Sequence, residues 1–330
     1  MTKFIFVSGG CCSAIGKGVV AASIGNLLSN LNYSVSIIKC DPYINIDPGT
    51  LNPQQHGEVF VTYDGGEVDL DFGHYERFLN SPVSKLGSIT TGSIYNSVIT
   101  KERAGKYLGN TVQIFHVTQE IKDRIYNYSL QTASDFVIIE IGGTVGDLES
   151  IPFIEAARQI QLENEPDEVC FIHCTYVFYL SSSGEFKTKP SQHSIKLLNS
   201  YGINPDILIA RSESDLDSLL LEKLSTYCYI KRSNVISCPN LKSIYEVPLL
   251  LKKQKILTLL SYKLNKELDS LLITSEVQQK LNNWTHTVTK LSAFKLETLN
   301  ILIVGKYTKL KDSYISVSEA LRHAALFLNK

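Results

Sequence analysis

Residues 9–18 have the composition of a loop that binds phosphate groups. They read Gly9-Gly10-Cys11-Cys12-Ser13-Ala14-Ile15-Gly16-Lys17-Gly18 and lie between a short apolar run and a helical pattern. Backbone N–H groups at the start of a helix attract anions, and Lys17 adds a positive charge. The spacing departs from the common phosphate loop, because Gly18 stands where that pattern has a Mg²⁺-binding Ser or Thr. We predict nucleotide binding with metal ligands supplied elsewhere; the alternative is a glycine turn with a solvated lysine.

Carboxylates that could bind such a metal lie in two other segments. One is an acidic stretch that contains Asp69 and Asp71, and the other is Glu140 in the apolar run Phe136 to Ile141. A carboxylate at the carboxyl end of a buried parallel strand lies where α/β proteins bind ligands. Two such oxygens, together with triphosphate oxygens and water, can hold Mg²⁺. For the acidic stretch, a solvated turn is an equally good interpretation.

A second polyphosphate site is suggested by the segment Ser183 to Gln192. It contains Lys187 and Lys189, which would project to one side of an extended backbone. The evidence from this segment alone is weak, because a lysine-rich loop is usually solvated surface.

Alternating strand and helix patterns must position these residues. Apolar runs typical of strands occur at Phe4 to Val7, Val35 to Ile38, Phe136 to Ile141, Val169 to Leu180, Ile207 to Ala210 and Val235 to Ile236. Helical spacing occurs at Val19 to Leu31, Ile94 to Asn127, Ile151 to Leu162, Ser194 to Tyr201, Leu216 to Tyr227 and Leu249 to Lys263. This alternation predicts an α/β fold of the P-loop, Rossmann-like type, with a mostly parallel sheet and helices on both faces.

The pattern also divides the chain. We predict one domain over residues 1–266, a linker over 267–298, and the start of a further domain over 299–330. In that last part, Asn300 to Gly305 predicts a strand and Tyr314 to Leu328 a helix.

The amino-acid composition argues against several classes of protein and indicates a cellular location. The 32 Lys and Arg nearly cancel the 33 Asp and Glu, which argues against a nucleic-acid-binding protein. No stretch approaches the roughly 18 apolar residues of a membrane helix, so we expect no membrane association. The seven cysteines include no CxxC pair and indicate a reducing, cytoplasmic location.

Several long motifs resemble the CTP synthase family. In chain order they are Lys39 to Thr50, His56 to Val61, Asp69 to Phe78, Glu140 to Ser150 and Lys187 to Gln192. The resemblance covers Met1 to about Lys263, which corresponds to the family's amidoligase domain. It resumes over Asn300 to Lys330, which looks like the opening of the glutamine amidotransferase domain. Since the family's glutaminase cysteine and its triad would lie beyond Lys330, we expect a fragment of a longer protein without glutaminase activity.

The resemblance implies a reaction and a set of site residues. Members of the family convert UTP to CTP with ATP, Mg²⁺ and ammonia, through a 4-phosphorylated UTP, and CTP is a feedback inhibitor. The implied catalytic residues are Lys17 and Lys39, and the implied Mg²⁺ ligands are Asp71 and Glu140. For ATP the resemblance implies Ala14, Ile15, Gly16, Lys17, Gly18, Val19, Asp71, Asn240 and Leu241. For UTP or CTP it implies Ser13, Asp147, Leu148, Glu149, Lys187, Thr188, Lys189, Pro190, Ser191, Gln192 and Lys223. It further implies a homotetramer that can form filaments.

Departures from the family pattern leave alternatives open. Ser93 replaces the usual Lys or Arg, the proline before His116 is missing, and Cys238-Pro239 alters the adenine region. Cys11 and Cys12 replace branched aliphatic residues. A nucleotide-switch ATPase and a catalytically weak assembly protein are therefore kept as competing hypotheses. Stimulation of ADP formation by UTP would favour the amidoligase over the switch.

Overall fold

Seven parallel strands form the central sheet of the computed structural model, which describes residues 2–268, 274–293 and 299–328. The strands are β1 (Lys3–Gly9), β2 (Val35–Asp41), β3 (Phe60–Val61), β4 (Glu67–Val68), β5 (Ser88–Thr90), β6 (Phe136–Ile141), β7 (Val169–Tyr176), β8 (Phe178–Leu180), β9 (Glu185–Lys187), β10 (Ile207–Ser212) and β11 (Val235–Pro239). The central sheet has the order β11-β10-β7-β1-β6-β2-β5, while β3-β4 and β8-β9 are small antiparallel pairs.

Helices cover this sheet. They are α1 (Lys17–Asn30), α2 (Pro53–His56), α3 (Asp71–Leu79), α4 (Thr91–Arg103), α5 (Ile114–Thr132), α6 (Ile151–Glu163), α7 (Lys189–Ser200), α8 (Ser218–Cys228), α9 (Val247–Lys253), α10 (Ile256–Leu264), α11 (Ser275–Ala293) and α12 (Ile315–Phe327). None of the helices in the described ranges is long and apolar enough to cross a membrane.

The central strands are buried on both faces. On β1, Ile5 and Val7 belong to the core formed with α1 and α3, whereas Phe4 and Phe6 belong to the core formed with α5 and α6. Side chains alternate between the two faces of a strand, so a strand covered on both sides must be apolar throughout. The predicted fold class, a parallel α/β sheet with helices on both faces, is confirmed.

Some predicted elements are wrong in detail. The predicted strand over Asn300 to Gly305 is absent, since this described segment has no strand assignment, and Leu302 and Val304 are 85% and 88% exposed. An apolar run becomes a strand only where another strand satisfies its backbone groups. The predicted strand Val169 to Leu180 is divided into β7 and β8, and the predicted helix Leu249 to Lys263 into α9 and α10, where Lys255 has a left-handed φ of 62°.

The predicted linker contains a helix that packs on the core. Trp284 of α11 lies 5.5 Å from Phe78 and 6.0 Å from Tyr245 between ring centroids, and its indole N–H donates to the Tyr245 carbonyl oxygen at 3.1 Å. Helix α12 also contacts this region, because the buried carboxylate of Glu319 accepts a 2.8 Å hydrogen bond from the Tyr245 hydroxyl. The division of the chain into domains stays a prediction.

Candidate functional site

The site lies at the carboxyl edge of the central sheet. Strand β1 runs into the phosphate loop, β2 carries Lys39 and Asp41 at its end, and β6 carries Glu140. Because the strands are parallel, these ends lie on the same edge. Residues more than 120 positions apart in the chain are thereby brought into contact, as the 2.6 Å hydrogen bond from Lys17 Nζ to the Gly143 carbonyl oxygen illustrates.

Left-handed backbone conformations shape the phosphate loop. Gly16 has a φ of 87° and precedes α1 as its N-cap, and Cys11 and Ala14 also have positive φ values. Glycine adopts this conformation without steric cost. Lys17, the first residue of α1, is buried, and burial lowers the pKa of its ammonium group while Glu140 partly opposes the shift. The loop therefore combines a helix N-terminus with a lysine, as the sequence predicts.

Lys39 lies at the centre of a cluster of acidic side chains, which we call the acid–lysine cluster. Its Nζ is 3.0 Å from Glu140 Oε1 and forms a direct ion pair with Asp71. Two further carboxylates, those of Asp69 and Asp41, lie 3.9 and 4.0 Å from the same nitrogen. The Lys39 side chain is almost fully buried, so these interactions are weakly screened by solvent.

The pKa values in the acid–lysine cluster reflect burial and the shared lysine. Burial raises the pKa of Glu140, and it raises the pKa of Asp41 to about 6, although Lys39 opposes both shifts. Burial would also raise the pKa of Asp71, but Lys39 and His74 hold it below its usual value. Burial would lower the pKa of Lys39, but Asp71 and Glu140 hold it well above its usual value. Lys39 and Asp71 therefore stabilise each other's charged forms.

Asp71 and Glu140 are the two carboxylates that could hold a Mg²⁺ ion. Both carboxylates contact the Lys39 ammonium, so their oxygens already face one common cation. A Cβ on Gly18 would collide with the Asp71 carboxylate, which means that the phosphate loop approaches this carboxylate closely. Within the described ranges no group of three or more His, Cys, Asp or Glu side chains is arranged to hold a metal. The chain would thus supply two ligands and leave the others to water and phosphate oxygens.

A cavity of about 360 Å³ adjoins the phosphate loop. Four residues predicted for ATP, Gly16, Val19, Asn240 and Leu241, line it. The sequence pattern did not identify another lining residue, Arg211, which lies on β10. Its guanidinium donates to the Ile15 carbonyl oxygen at 3.2 Å and to Asn240 Oδ1 at 3.1 Å, so it connects the phosphate loop to the end of β11. The sequence feature that could have identified Arg211 is a charged residue near the carboxyl end of a buried strand.

A second cavity, of about 280 Å³, brings together five residues predicted for UTP. They are Lys187, Thr188, Lys189, Gln192 and Lys223. The two lysines are not on one extended segment as predicted, because Lys187 ends β9 and Lys189 begins α7. The backbone turns at Thr188, whose buried hydroxyl accepts from Gln192 Nε2 at 3.1 Å.

The structure does not bring every predicted residue into these cavities. The remaining residues predicted for UTP lie outside the second cavity's lining: Ser13, Asp147, Leu148, Glu149, Pro190 and Ser191. The segment of Asp147, Leu148 and Glu149 is exposed, whereas Ser191 is buried and its hydroxyl donates to the Tyr176 carbonyl oxygen at 3.0 Å. Of the ATP residues, Ala14 is exposed.

Tyr75 is a further residue that the pattern did not identify. It lies one helical turn after Asp71 on α3, is fully buried, and donates its hydroxyl hydrogen bond to Glu140. An aromatic residue four positions from a candidate ligand was the only signal, and such spacing also describes ordinary core packing.

Comparison with known proteins identifies close relatives. A family model described as CTP synthase N-terminus matches residues 3–266. The CTP synthases of Thermosynechococcus vestitus, Cyanothece sp. and Nostoc punctiforme are 53%, 52% and 53% identical to the chain over 331, 327 and 327 residues. These alignments cover 99–100% of the chain and 58–59% of each relative, so the chain spans about 59% of the length of the curated relatives it matches. The solved structure of the signal recognition particle receptor FtsY from Elizabethkingia anophelis, in complex with GDP, aligns with the protein at a TM-score of 0.33 and 11% sequence identity. The alignment covers 64% of this chain and 49% of that chain, and the similarity is too slight to bear on function.

Proposed function

The chain belongs to the CTP synthase family, and on that premise we propose that it performs an ATP-dependent amination of UTP to CTP. The matched family model is that of the CTP synthase N-terminus. The proposed reaction is the amidoligase step, in which UTP is aminated, and it belongs to pyrimidine nucleotide synthesis. Ammonia is its proposed nitrogen donor.

The reaction has two balanced steps. The γ-phosphoryl group of ATP forms a bond to O4 of the uracil as its bond to the ADP oxygen breaks. The N3 proton is lost to solvent in this step, so that a C4–N3 double bond replaces the C4 carbonyl. Ammonia then forms a bond to C4, loses a proton to solvent, and inorganic phosphate leaves with O4. Phosphorylation is needed because an unmodified carbonyl oxygen is a poor leaving group. Catalysis of such a transfer consists mainly of positioning and of stabilising negative charge.

The phosphate loop and the acid–lysine cluster would act on ATP. Lys17 and the N-terminus of α1 would bind the phosphates, and the 360 Å³ cavity beside Gly16 would receive the adenosine. Lys39 would stabilise charge at the transferring phosphoryl group. Asp71 and Glu140 would hold Mg²⁺, which when bound neutralises charge on the phosphate oxygens.

The second cavity would bind the triphosphate of UTP. Lys187, Lys189 and Lys223 are cations at its wall, and Gln192 adds an amide. CTP carries the same triphosphate and would compete for this site as a feedback inhibitor. We also propose that the protein forms a homotetramer and filaments. All seven cysteines are free thiols, which supports the proposed cytoplasmic location.

One observation carries this proposal. Strand β1, which leads into the phosphate loop, has β6 with Glu140 on one side and β7 on the other, and β7 is followed by the β8-β9 hairpin and α7 that line the second cavity. Lys17 of the phosphate loop, Glu140, and a second basic cluster formed by Lys187, Lys189 and Lys223 therefore lie at or after the carboxyl ends of neighbouring strands. Transfer from ATP to O4 of a bound UTP requires binding sites for two triphosphates, whereas a nucleotide-switch ATPase has no use for the second basic cluster.

The experiment measures CTP and ADP formed by the purified 330-residue chain. It receives UTP, ATP and Mg²⁺ with either ammonium chloride or glutamine, and a matched reaction omits UTP. We expect CTP from ammonium, none from glutamine, and ADP formation that depends on UTP. ADP formation that is indifferent to UTP, with no CTP, would contradict the amidoligase and favour the switch ATPase. Repeating the assay on assembled and dissociated protein, separated by size-exclusion chromatography, tests the alternative of a weakly active assembly protein.

A further inference from the structure

A continuous chain of hydrogen bonds lies beneath the phosphate loop. Ser8 Oγ is 2.9 Å from His173 Nδ1, and His173 Nε2 is 2.7 Å from Ser194 Oγ. The three residues are 1%, 0% and 6% exposed. Ser8 Oγ also lies 3.5 Å from the Ile172 carbonyl oxygen. The imidazole of His173 depends on the two serine hydroxyls, because water does not reach it.

The three residues belong to elements that lead to the two cavities. Ser8 lies on β1, immediately before the glycines that open the phosphate loop. His173 lies opposite Ser8 on the neighbouring strand β7. Ser194 lies on α7, whose first turn contributes Lys189 and Gln192 to the second cavity. The hydrogen bonds thus join the ATP loop to the helix of the second basic cluster.

Gly10 of the phosphate loop makes separate contacts with β7 and with α7. The amide of Gly10 donates to the Cys174 carbonyl oxygen at 3.0 Å, which holds the loop against β7. A Cβ on Gly10 would collide with Ser194 Oγ and would lie 2.9 Å from Ser194 Cβ. The backbone of the phosphate loop consequently rests directly on Ser194, with no space for a side chain between them. Interiors packed at this density transmit displacements.

The protonation state of His173 suits it to hold the two serine hydroxyls in place. Burial lowers the pKa of its imidazole to about 3, so the ring is neutral at physiological pH. A neutral imidazole has one donor and one acceptor nitrogen, which matches one serine hydroxyl on each side. With both nitrogens engaged and no exposed surface, His173 has no free group for the reaction itself.

We propose that the Ser8–His173–Ser194 chain is a positioning device that couples the two nucleotide sites, so that ATP bound at the phosphate loop strengthens UTP binding at α7, and the reverse. This inference rests on the proposed function, since it takes the two cavities as the ATP and UTP sites. A nucleotide that orders one serine of this hydrogen-bonded series also fixes the other serine. The reason is that a buried hydroxyl left without its partner costs free energy. His173 is therefore a positioning residue.

The test is a binding measurement without turnover. UTP is titrated into the chain by isothermal calorimetry with Mg²⁺, in the presence and absence of saturating β,γ-imido ATP, and the reverse titration is made as well. In wild type we expect the analogue to tighten UTP binding by about fivefold or more, with the same factor in both directions. In Ser194→Ala and His173→Gln the factor should fall below about twofold, while each nucleotide alone binds within about threefold of its wild-type affinity.

Ser36→Ala is the matched control. Ser36 is a buried serine on β2 whose hydroxyl lies 3.3 Å from Thr132 Oγ1. Its loss should leave the coupling factor unchanged, so a general loss of stability is separated from a loss of coupling. Ser194→Ala keeps the imidazole in the core and serves if His173→Gln does not fold.

Four outcomes separate a failure of the positioning device from a failure of the proposed function. A full coupling factor in folded Ser194→Ala would overturn the positioning device, and so would a wild-type chain that binds both nucleotides independently. A wild-type chain that binds neither UTP nor the ATP analogue would instead contradict the proposed function. Loss of coupling in Ser36→Ala to the same extent as in Ser194→Ala would also overturn the device, because the effect would then be unspecific.

Discussion

Replacing Lys39 by methionine should destabilise the folded chain in a manner that depends on pH. The ammonium of Lys39 forms ion pairs with Asp71 and Glu140, and two more carboxylates lie within 4.0 Å of its nitrogen. Methionine fills a similar volume but leaves these buried carboxylates without their shared cation. Removing one partner of a buried ion pair costs about 3–5 kcal/mol. We expect a loss of that size in the free energy of unfolding near pH 7.5.

The loss should shrink as the pH falls. A buried carboxylate with a raised pKa holds its proton in the folded state at pH values where the unfolded chain has lost it, so its contribution to stability declines as pH rises from the unfolded pKa to the folded pKa. Asp41 already shows this behaviour, since its pKa is raised from 3.8 to about 6, equivalent to about 3 kcal/mol of stability lost by pH 7. Without Lys39, the carboxylates should take up protons more readily. The difference between wild type and Lys39→Met should therefore be smallest near pH 4.5.

The assay is equilibrium unfolding in urea, followed by far-UV circular dichroism and by the fluorescence of Trp284, the only tryptophan. It is run without nucleotide or metal at several pH values between 4.5 and 7.5. Lys122→Met is the control, because the Lys122 side chain is equally buried but pairs with the half-exposed Glu163. That variant should lose about 1 kcal/mol or less. A loss in Lys39→Met no larger than in the control, or one that does not change with pH, would refute the reasoning.

Three further substitutions test the proposed ATP site. Lys17→Ala should lower UTP-dependent ADP formation by about 10²-fold or more because it removes a cation from the phosphate loop, and wild-type turnover would refute that role. Glu140→Gln should raise the Mg²⁺ concentration needed for half-maximal nucleotide binding by at least about tenfold, which a Mg²⁺ titration checks; an unchanged titration would contradict it. Gly18→Ala should lower the free energy of unfolding by about 1–3 kcal/mol, because the added Cβ collides with the Asp71 carboxylate. A urea midpoint equal to that of wild type would contradict this prediction, since the phosphate loop would then have moved to make room.

The sequence alone determined the fold class, and it predicted the parts of the candidate site that lie within single segments. Apolar runs such as Phe136 to Ile141 predict strands buried on both faces, because no half-solvated strand is apolar throughout. The glycines around Lys17 and their place between a strand and a helix predict a phosphate loop from local backbone physics alone. The motifs that resemble the CTP synthase family supplied the remaining site residues, and the family itself is confirmed.

The tertiary structure decided everything that depends on contacts between distant segments. The sequence pairs Asp71 with Glu140 only through the family resemblance. In the structure the parallel pairing of β2 with β6 places Lys39 beside Glu140, and the start of α3 adds Asp71, which makes one cluster with shifted pKa values. The same dependence explains the absent strand at Asn300 to Gly305, since strand formation needs a partner that apolar character cannot supply. Ser8, His173 and Ser194 are unremarkable in the sequence, because hydrogen bonds across 165 and 21 positions leave no local periodic signal.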